Sequence, residues 1–423
     1  MTASAPRDSS PLPQDAVAVS QDAASAPLGG LLVADFSRVL AGPFATMYLA
    51  DLGATVVKVE RPGTGDDTRA WGPPWTAHTS SYFESVNRSK LGVTLDLADP
   101  ADLALAHELA GRADVVVENF KTGTMARLGL GFEQVRDGDP AAGRPANPGV
   151  VYASITGYGA GAGAEIPGYD FVVQAVGGLM SITGDPEAPP QKVGVALVDV
   201  LTGKDAVIGI LAALTARART GRGTHVEVDL LSSLLGALVN QASGYLATGT
   251  PPRRMGNRHP SIAPYETLAC ADGHLAVACG NDGQFRRLVA ALGLPGLAGD
   301  AAYATNGDRV AHRDALAADL ESVLRTAPVA HWDAVLRAAG VPAGPVGDIG
   351  SAFRLAADLG LAPTWPARDG HVAQVRNPVR LSGHDPGPGM PPPHLGEHDT
   401  LVRGWLHGGD RTLAGLALDL TEC

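Results

Sequence analysis

Two aspartates lie in surroundings that suit nucleophilic or acid–base chemistry. Asp170 follows Tyr169 in PGYDFVVQA, and Asp199 lies in VGVALVDVLTG, between an apolar run and a long helical segment. Backbone N–H groups at a helix N-terminus favour a negative charge, so we expect Asp199 to be ionised and directed at a ligand. An Asp at the start of a helix is also a common helix cap, and the pattern alone favours that role. The sequence pattern therefore leaves two roles open for Asp199, nucleophile and helix cap.

Other catalytic signatures are missing from the sequence. It has no GxSxG motif, and Gly203–Lys204 is followed by Asp205 instead of the Ser or Thr of a P-loop. The segment GYGAGAG has alternating glycines, which disfavours a dinucleotide site. His394 and His398 are four residues apart, but the proline-rich stretch around them is not helical, so we expect no metal. The chemistry is expected to depend on carboxylates.

The composition excludes several classes of partner. The 423 residues include 32 basic and 44 acidic side chains, and 32 − 44 gives a net charge of −12. Nucleic acids and anionic membranes attract clustered Lys and Arg, so neither is an expected partner. Three cysteines without a CxxC pair indicate a reducing compartment, and we expect a cytoplasmic protein. Residues 1–28 are predicted to be a disordered extension, because they are rich in Ala, Ser, Pro and Asp.

Alternating strands and helices are predicted to position the two aspartates. LLVADF and ATVVKVE are typical of buried parallel strands, and GPFATMYLADLG between them is typical of a crossover helix. This α/β pattern predicts a doubly wound sheet whose ligand site lies beyond the carboxyl ends of its strands. A hairpin with its turn at Asp272–Gly273 indicates a smaller α+β domain inserted in the chain. The predicted boundaries are 29–223 for the first part of the large domain, 224–339 for the small domain, and 340–423 for the return to the large domain and the tail.

Long blocks of sequence follow one another in an order and spacing that are highly specific when taken together. They include DFSRVLAGPFATMYLADLGATVVKVERPGTGDDTR, NRSKLGVTLDL, DVVVENFKTGTMARLG, SITGYGAGAG, VALVDVLTG, AGPV and PPPHLGEHDT. From about Leu31 to about Thr400 the chain resembles the class III CoA-transferases, the group that includes formyl-CoA transferase and the carnitine CoA-transferases. The resemblance implies that the large domain is a Rossmann-like CoA-binding domain. It also implies that Asp199 is the catalytic aspartate, which reverses the preference for a cap.

The mechanism that the resemblance implies is covalent. The Asp199 carboxylate attacks a thioester to form an aspartyl-acyl anhydride, and an aspartyl-CoA thioester follows. CoA and acyl-CoA would then be substrates, and no tightly bound cofactor is implied. Two lysines that bind CoA in formyl-CoA transferase correspond to Ala98 and Pro167, so we expect Arg88, Lys90 or Lys121 to replace them. The CoA-binding residues implied by the resemblance are Val39, Leu40, Ala41, Arg61, Leu95, Asn119, Phe120 and Arg127.

Racemisation and non-catalytic CoA binding are two alternatives to CoA transfer. The same family contains α-methylacyl-CoA racemases, which move a proton between a His and an Asp. Their His corresponds to Tyr169, and a phenol with a reference pKa of about 10 is a poor base near neutral pH. A non-catalytic CoA-binding protein is the third possibility, and the presence of Asp199 disfavours it. CoA transfer is therefore the preferred function.

The resemblance extends to substrates and assembly. The stretch from APYETL to GNDGQF and the segment PPPHLGEH are similar to enzymes that use dicarboxylates, which implies succinyl-CoA or another dicarboxylyl-CoA as donor and a small carboxylic acid as acceptor. RMGNRHP corresponds to the active-site loop, with Gly256 and Asn257 but no run of glycines. Arg258 and His259 there are candidates for binding a distal carboxylate, although a basic surface loop would look the same. Family members form an interlocked homodimer, which we expect here.

Overall fold

A computed structural model of the protein describes residues 26–384, 387, 389–409 and 412–416. Most of the predicted N-terminal extension, residues 1–25, lies outside this range. The remainder of that segment belongs to the folded domain, because the backbone N–H of Leu28 donates to the carbonyl of Leu52 at 2.9 Å. Leu28 also packs against the buried core of the large domain. The extension predicted to end at residue 28 therefore ends earlier, before this contact.

A six-stranded parallel sheet forms the centre of the large domain, which confirms the predicted α/β class. Its spatial order is β3-β2-β1-β4-β5-β6, the order of the doubly wound dinucleotide-binding folds. The order reverses between β1 and β4, and ligands of such sheets bind outside the carboxyl ends of the strands at that point. The strands are β1 (Leu32–Asp35), β2 (Thr55–Glu60), β3 (Lys90–Thr94), β4 (Val115–Glu118), β5 (Val151–Thr156) and β6 (Thr224–Asp229).

Helices cover both faces of this sheet. They are α1 (Ala41–Asp51), α2 (Ser81–Glu84), α3 (Pro100–Arg112), α4 (Thr124–Arg127), α5 (Phe132–Asp137), α6 (Asp170–Val176), α7 (Leu179–Ile182), α8 (Leu197–Thr220), α9 (Leu230–Ala237) and α10 (Val239–Thr248). One buried core includes Leu49 of α1 and Ile210 of α8, and the other includes Leu109 of α3. The long helix α8 ends where Gly221 adopts a φ of +67°, a conformation that suits glycine at a helix C-terminus.

A three-stranded antiparallel sheet forms the small domain. It contains β7 (Tyr265–Ala269), β8 (His274–Ala278) and β9 (Ala343–Pro345), in that order. The predicted turn at Asp272–Gly273 is confirmed, because it connects β7 to β8. The helices of this second half are α11 (Asp282–Ala291), α12 (Asn306–Ala311), α13 (Arg313–Leu324), α14 (Val329–Ala338), α15 (Ile349–Asp358) and α16 (Asp399–His407), with a short pair β10 (Thr364–Trp365) and β11 (Gln374–Val375).

Strand pairing corrects the two predicted domain boundaries. β6 begins at Thr224, inside the predicted small domain, yet it pairs along its length with β5 of the large sheet. β9 lies beyond residue 339, in the predicted return to the large domain, yet it pairs with β8. The boundaries differ from these pairings because a strand pattern shows a strand but does not identify its partner.

The edge strand β3 is covered by the start of α16. The N–H of Gly92 donates to Nδ1 of His398 at 3.0 Å, and the N–H of His398 donates to the carbonyl of Gly92 at 3.0 Å. The N–H and hydroxyl of Thr94 both donate to the Asp399 carboxylate at 2.6 Å. These contacts satisfy backbone groups that an uncovered edge would present to other chains. None of the described helices is long and apolar enough to cross a membrane.

Candidate active site

A cleft of about 280 Å³ opens where the strand order reverses, as expected for this sheet topology. The segments that follow β1, β4 and β5 form its walls, and Asp199 from the first turn of α8 lines it. Its volume is at the low end for small-molecule sites, so it suits the reacting end of a substrate better than a whole nucleotide. The lining includes Arg38, Val39, Leu40, Ala41, Asn119, Phe120, Lys121, Thr156, Gly157, Glu165, Gly168, Tyr169, Asp199 and Leu230.

Asp170 caps the helix that carries Asp199. Its Oδ2 accepts hydrogen bonds from the N–H groups of Val198 at 2.7 Å and Asp199 at 3.2 Å. These are the second and third positions of α8, which an N-cap side chain normally serves. Gln174 holds the other oxygen of Asp170, donating to Oδ1 at 2.6 Å. Asp199 therefore does not cap its own helix, which was the alternative that the pattern alone favoured, and it lines the cleft instead.

The surroundings of Asp199 favour its neutral form. Burial, and then the nearby Asp170 carboxylate, raise the pKa of Asp199 from its ordinary value to about 7. The expectation that the helix N-terminus keeps Asp199 ionised is thus not supported, because burial disfavours its charged form, and Asp170 occupies the N–H groups and adds a second negative charge. A carboxylate with a pKa near 7 is present in both protonation states at neutral pH.

Glycines allow the segments of the site to approach closely. A Cβ at Gly203 of α8 would lie 2.7 Å from the carbonyl oxygen of Ala41, so glycine brings α8 against the start of α1. A Cβ at Gly157 would lie 2.6 Å from Cα of Gly168. This backbone contact holds the segment before Tyr169 and Asp170 against the end of β5. Gly157 of GYGAGAG and Gly168 of PGYD thus have a packing role at the wall of the cleft.

The loop after β1 reaches the cleft in a strained conformation. Val39 has a φ of +69°, which is unusual for a β-branched residue. Its N–H points to the buried carboxylate of Asp66, with distances of 3.2 and 3.3 Å to the two oxygens. Nζ of Lys58 donates to Asp66 at 3.0 Å and to the carbonyl of Ser37 at 3.0 Å. The buried Lys58–Asp66 ion pair therefore holds the loop after β1 in place.

Two further buried ion pairs rule out two of the predicted phosphate contacts. Lys90 is fully buried and donates to Asp35 at 3.1 Å, and burial lowers its pKa to about 8. Arg88 is buried in a bidentate pair with Asp51, at 3.0 and 2.6 Å. Buried carboxylates already pair with both cations, so neither can reach a CoA phosphate. Lys121 is exposed and lines the cleft, 2.5 Å from the Glu165 carboxylate.

Of the residues implied for CoA binding, five line the cleft and three lie outside its described lining. Val39, Leu40, Ala41, Asn119 and Phe120 line the cleft with Asp199 and Tyr169. The side chain of Asn119 also holds the loop, because it accepts from the N–H of Arg38 at 2.9 Å and donates to its carbonyl at 2.7 Å.

The other predicted CoA contacts lie outside the described lining of the cleft. Arg61 is exposed at the carboxyl end of β2, where its Nε donates to Thr64 at 2.8 Å. Arg127 at the end of α4 lines a neighbouring depression. Leu95 is only 2% exposed and packs in the core, so the prediction that its side chain contacts adenine is not supported by this structure.

The predicted active-site loop has other contacts in this chain. Arg258 pairs with Glu266 at 3.0 Å and Asp314 at 2.6 Å. Asn257 donates to Thr267 at 3.0 Å, and the ring of His259 packs on Tyr265 with centroids 5.1 Å apart. The N–H of Gly256 donates to the carbonyl of Gly184 at 3.0 Å. None of Gly256, Asn257, Arg258 and His259 belongs to the described lining of the Asp199 cleft, so Arg258 is a structural cation here.

Sequence reasoning missed two contributors to the site. Tyr82 of α2 lies near Asp199, and burial, followed by the Asp199 and Asp170 carboxylates, raises its pKa to about 12. No local motif marks Tyr82, because it reaches the site from a short helix that lies far from Asp199 in the sequence. Arg38 lines the cleft beside Val39, and it pairs with Asp67 at 3.1 Å. Its position directly before a predicted contact residue was a usable signal.

Comparisons with known proteins agree with this architecture. The model of CoA-transferase family III matches residues 28–399. The chain is 42% identical over 401 residues to the succinate–glutarate CoA-transferase of Agrobacterium fabrum, with 91% of this chain and 97% of that protein covered. It is 41% identical over 380 residues to the acetyl-CoA:oxalate CoA-transferase of Acetobacter aceti, with 89% and 95% covered.

A solved structure also matches nearly the whole fold. The crystal structure of a CAIB/BAIF family protein from Brucella suis superposes with a TM-score of 0.79 at 43% sequence identity. The superposition covers 90% of this chain and 99% of that chain. The family match includes both sheets, the cleft and the start of the helix that covers β3, and the chain therefore belongs to CoA-transferase family III.

Proposed function

We propose that this CoA-transferase moves CoA from succinyl-CoA or another dicarboxylyl-CoA to a carboxylic acid, with Asp199 as the nucleophile. The observation that carries the proposal is the division of roles between two carboxylates. Asp170 satisfies the N–H groups of α8, and Asp199 is left to line the cleft. The raised pKa of Asp199, about 7, makes its carboxylate more basic than an ordinary Asp while keeping an ionised fraction at neutral pH.

The proposed reaction proceeds through four balanced steps. An Asp199 oxygen attacks the donor thioester carbon, the C–S bond breaks, and a mixed anhydride and CoA thiolate form. The thiolate attacks the Asp199 carbonyl carbon, which releases the donor acid and leaves an aspartyl-CoA thioester. The acceptor carboxylate attacks that thioester, releasing CoA thiolate and forming a second anhydride. The thiolate then attacks the acceptor's acyl carbon and restores the Asp199 carboxylate.

The walls of the cleft suit these intermediates. Leu40, Met47 and Val86 form a small apolar cluster, against which Tyr82 and Val200 also pack. An apolar wall limits the access of water, which would hydrolyse an anhydride. Leu40 and Ala41 at the start of α1 line the same cleft, and we propose that the first N–H groups of this helix stabilise the negative oxygen that develops during acyl transfer.

The dicarboxylate preference is supported by the relatives. Two of them, from Mus musculus and Homo sapiens, are named succinyl-CoA:glutarate CoA-transferases and are 40% and 38% identical to this chain. Among the described lining residues, Arg38 and Lys121 are the cations that can meet a carboxylate or a phosphate. Arg258 is not proposed for this role, because it does not belong to the described lining of the cleft and two carboxylates, Glu266 and Asp314, hold it elsewhere.

An oxygen-tracing experiment tests the mechanism. One oxygen of the acceptor acid becomes the bridging oxygen of the second anhydride and remains on Asp199. A single turnover with an acceptor labelled with ¹⁸O at both carboxylate oxygens is therefore expected to place one ¹⁸O on the peptide that contains Asp199, as measured by mass spectrometry. Asp199→Ala is expected to bind CoA but to exchange none. An unlabelled Asp199 peptide after that turnover, or full activity in Asp199→Ala, would contradict the mechanism.

A substrate panel tests the specificity separately. We expect succinyl-CoA and related dicarboxylyl-CoA donors to turn over faster than acetyl-CoA, with acceptor acids varied in the same assay. Turnover of monocarboxylyl-CoA donors alone would reject the dicarboxylate preference without affecting the role of Asp199. Exchange of the α-proton of 2-methylacyl-CoA without CoA transfer would instead support racemisation. Tyr169, in the position of the racemase His, lines the cleft and argues against that outcome.

We also propose that the enzyme is a homodimer of interlocked subunits. Large apolar side chains are exposed on helices of both domains, including Leu246 of α10 at 81% and Ile349 of α15 at 79%. Exposed apolar residues that recur along helices favour burial against another chain. Sedimentation-velocity analysis is expected to give the mass of two chains, and a stable monomer would overturn the assembly.

A further inference from the structure

Three histidines from distant parts of the chain meet at one place on the large domain. His78 lies in the loop before α2, His371 follows β10, and His394 lies in PPPHLGEH. One ring nitrogen of each histidine lies within 4.8 Å of those of the other two. We infer that His78, His371 and His394 bind a divalent transition-metal ion of the Zn²⁺ type, at a site separate from the Asp199 cleft.

The chemistry of the donors favours such an ion. Neutral imidazole suits Zn²⁺, Cu²⁺ and Ni²⁺ better than Mg²⁺ or Ca²⁺, which prefer oxygen. Three nitrogen donors leave one position of a tetrahedral ion for water. Zn–N distances of about 2.0–2.1 Å place the nitrogens roughly 3.4 Å apart, so small ring rotations would complete the site. The centroid distances of 4.4, 4.5 and 5.7 Å show that the rings already converge.

The surroundings of two of the rings suit a metal site. Nε2 of His78 lies 2.8 Å from the carbonyl oxygen of Asp369, so this nitrogen carries the proton and leaves Nδ1 with a free lone pair. Nδ1 of His371 is buried and lacks a well-aligned hydrogen bond, although Oε1 of Glu84 lies 3.3 Å away. A carboxylate beside a ligating histidine is the usual outer partner of a zinc ion.

The segments that carry the histidines are held in place independently of any ion. The hydroxyl of Thr76 accepts from the N–H of His78 at 3.2 Å, which fixes the loop before α2. The N–H of Val372 donates to Oε2 of Glu84 at 3.0 Å. Arg69 donates to the carbonyl of Pro393 at 2.9 Å, directly before His394. The three rings are thus presented by anchored backbone, which lowers the entropic cost of binding an ion.

The two histidines of PPPHLGEH have different contacts in the structure. His398 accepts from the N–H of Gly92 at the sheet edge, whereas His394 joins the cluster with His78 and His371. An ion at the cluster would cross-link the segment around His371, the segment around His394 and the loop that leads into α2. Because α2 carries Tyr82, this cross-link would stabilise a wall of the active site without touching substrate.

Cobalt titration of the full-length protein tests the site. After removal of metal with a chelator, we expect one equivalent of Co²⁺ to bind and to produce the visible absorption of a tetrahedral ion, with Zn²⁺ displacing it. His78→Ala and His394→Ala remove exposed rings and are expected to weaken Co²⁺ binding by more than about 100-fold, because loss of an outer-shell partner alone costs about 10–100-fold. The expected absorption and affinity should persist in His331→Ala, an exposed control outside the cluster.

Each other outcome overturns the inference. Absence of stoichiometric Co²⁺ binding in the unaltered protein, with Zn²⁺ also failing in equilibrium dialysis, would show that the rings only stack. Unchanged binding in both His78→Ala and His394→Ala would place the ion elsewhere, as would equal loss in His331→Ala. Circular dichroism of each variant separates a lost ligand from a lost fold. CoA transfer is not the readout, so the result is independent of the role of Asp199.

Discussion

Asp170 and Asp199 show how two carboxylates in one site acquire different roles. Asp170 is buried but accepts hydrogen bonds from two backbone N–H groups and from Gln174. Asp199 lines the cleft near that first carboxylate, and burial, followed by the Asp170 charge, raises its pKa to about 7. Pairs of acids whose environments differ in this way commonly divide structural and chemical work between them. The Asp170 carboxylate, which caps α8, thus helps to raise the pKa of Asp199.

The pH dependence of CoA transfer is expected to report on this pair. Only ionised Asp199 can attack a thioester, so kcat/KM should fall as the pH drops below about 7. Asp170→Asn removes one negative charge while its amide oxygen can still accept from α8, so the acidic limb should move to lower pH. The measurement is kcat/KM between pH 5 and 9, with exposed Asp137→Asn as the control. An acidic limb at the same pH in both variants would contradict the coupling.

The raised pKa of Asp199 also has a cost in stability. Its folded-state pKa is above its unfolded value, so the native state binds more protons and loses stability as the pH rises from about 4 to about 7. Asp199→Asn is therefore expected to raise the Tm at pH 8 and to leave it nearly unchanged at pH 4. Calorimetric scans at both pH values measure this difference. A variant that is less stable at pH 8 would mean that the charge of Asp199 is favourable in the folded protein.

At the residue scale the sequence predicts the place of Asp199 in the cleft better than the environment of its carboxylate. Asp199 could be found because a long block of family sequence surrounds it. The cap provided by Asp170 could not, since the hydrogen bond to α8 joins residues 28 positions apart. Leu95 and Lys90 matched positions or charges expected near CoA, yet both are buried, and burial depends on the packing of the whole domain.

At the scale of elements, buried charged groups hold the loop after β1 in its conformation. Val39 has a positive φ, and a strained non-glycine conformation persists only where its surroundings hold it. The Asp66 carboxylate accepts a hydrogen bond from the N–H of Val39. Nζ of Lys58 donates to both Asp66 and the carbonyl of Ser37. The pair thus joins strand β2 to the loop that lines the cleft.

Removing this pair in two stages should separate stability from positioning. Asp66→Ala leaves the Lys58 cation buried and unpaired, and we expect a loss of about 3–5 kcal/mol in the free energy of unfolding. Lys58→Met combined with Asp66→Ala removes both charges and should regain a large part of that stability. The double variant should still transfer CoA slowly, because Val39 has lost its anchor. Urea unfolding and kcat measure the two effects, and recovery of both would show that the pair is only structural.

At the element scale, sequence patterns predict strands and helices more reliably than partners. The parallel sheet and the β7–β8 hairpin were predicted from apolar runs and a turn signal. The sheets to which β6 and β9 belong were not, because those pairings join segments whose local patterns are alike. The segment around Arg258 was expected at the active site, but its charge is satisfied by Glu266 and Asp314, which lie on other elements.

Across the whole molecule, α16 joins the end of the described chain to its first half. Besides the contacts of His398 and Asp399 with β3, Arg403 pairs with Asp102 at 2.7 Å. Val402 and Trp405 are buried in the core that also contains Leu109. The PPPHLGEHDT block, which supported the family resemblance, thus contributes to closing the sheet.

Loss of the Asp399 carboxylate should weaken this closure. It accepts from the N–H and the hydroxyl of Thr94, both at 2.6 Å, and bonds to a charged acceptor are stronger than neutral ones. Asp399→Ala is expected to lower the free energy of unfolding by about 1–3 kcal/mol. Urea unfolding measures the loss, with exposed Glu187→Ala as the matched control. Equal midpoints for the two variants would show that the edge of β3 does not need this cover.

The position of α16 also determines when the protein can finish folding during its synthesis on the ribosome. All six strands of the large sheet have been made once residue 229 has emerged, and the small sheet lacks only β9 until residue 345. The cover of β3 is not made until residues 398–407 emerge. The nascent chain therefore carries an open strand edge for more than a third of its synthesis. During that interval chaperones or slow translation would have the greatest effect on its yield.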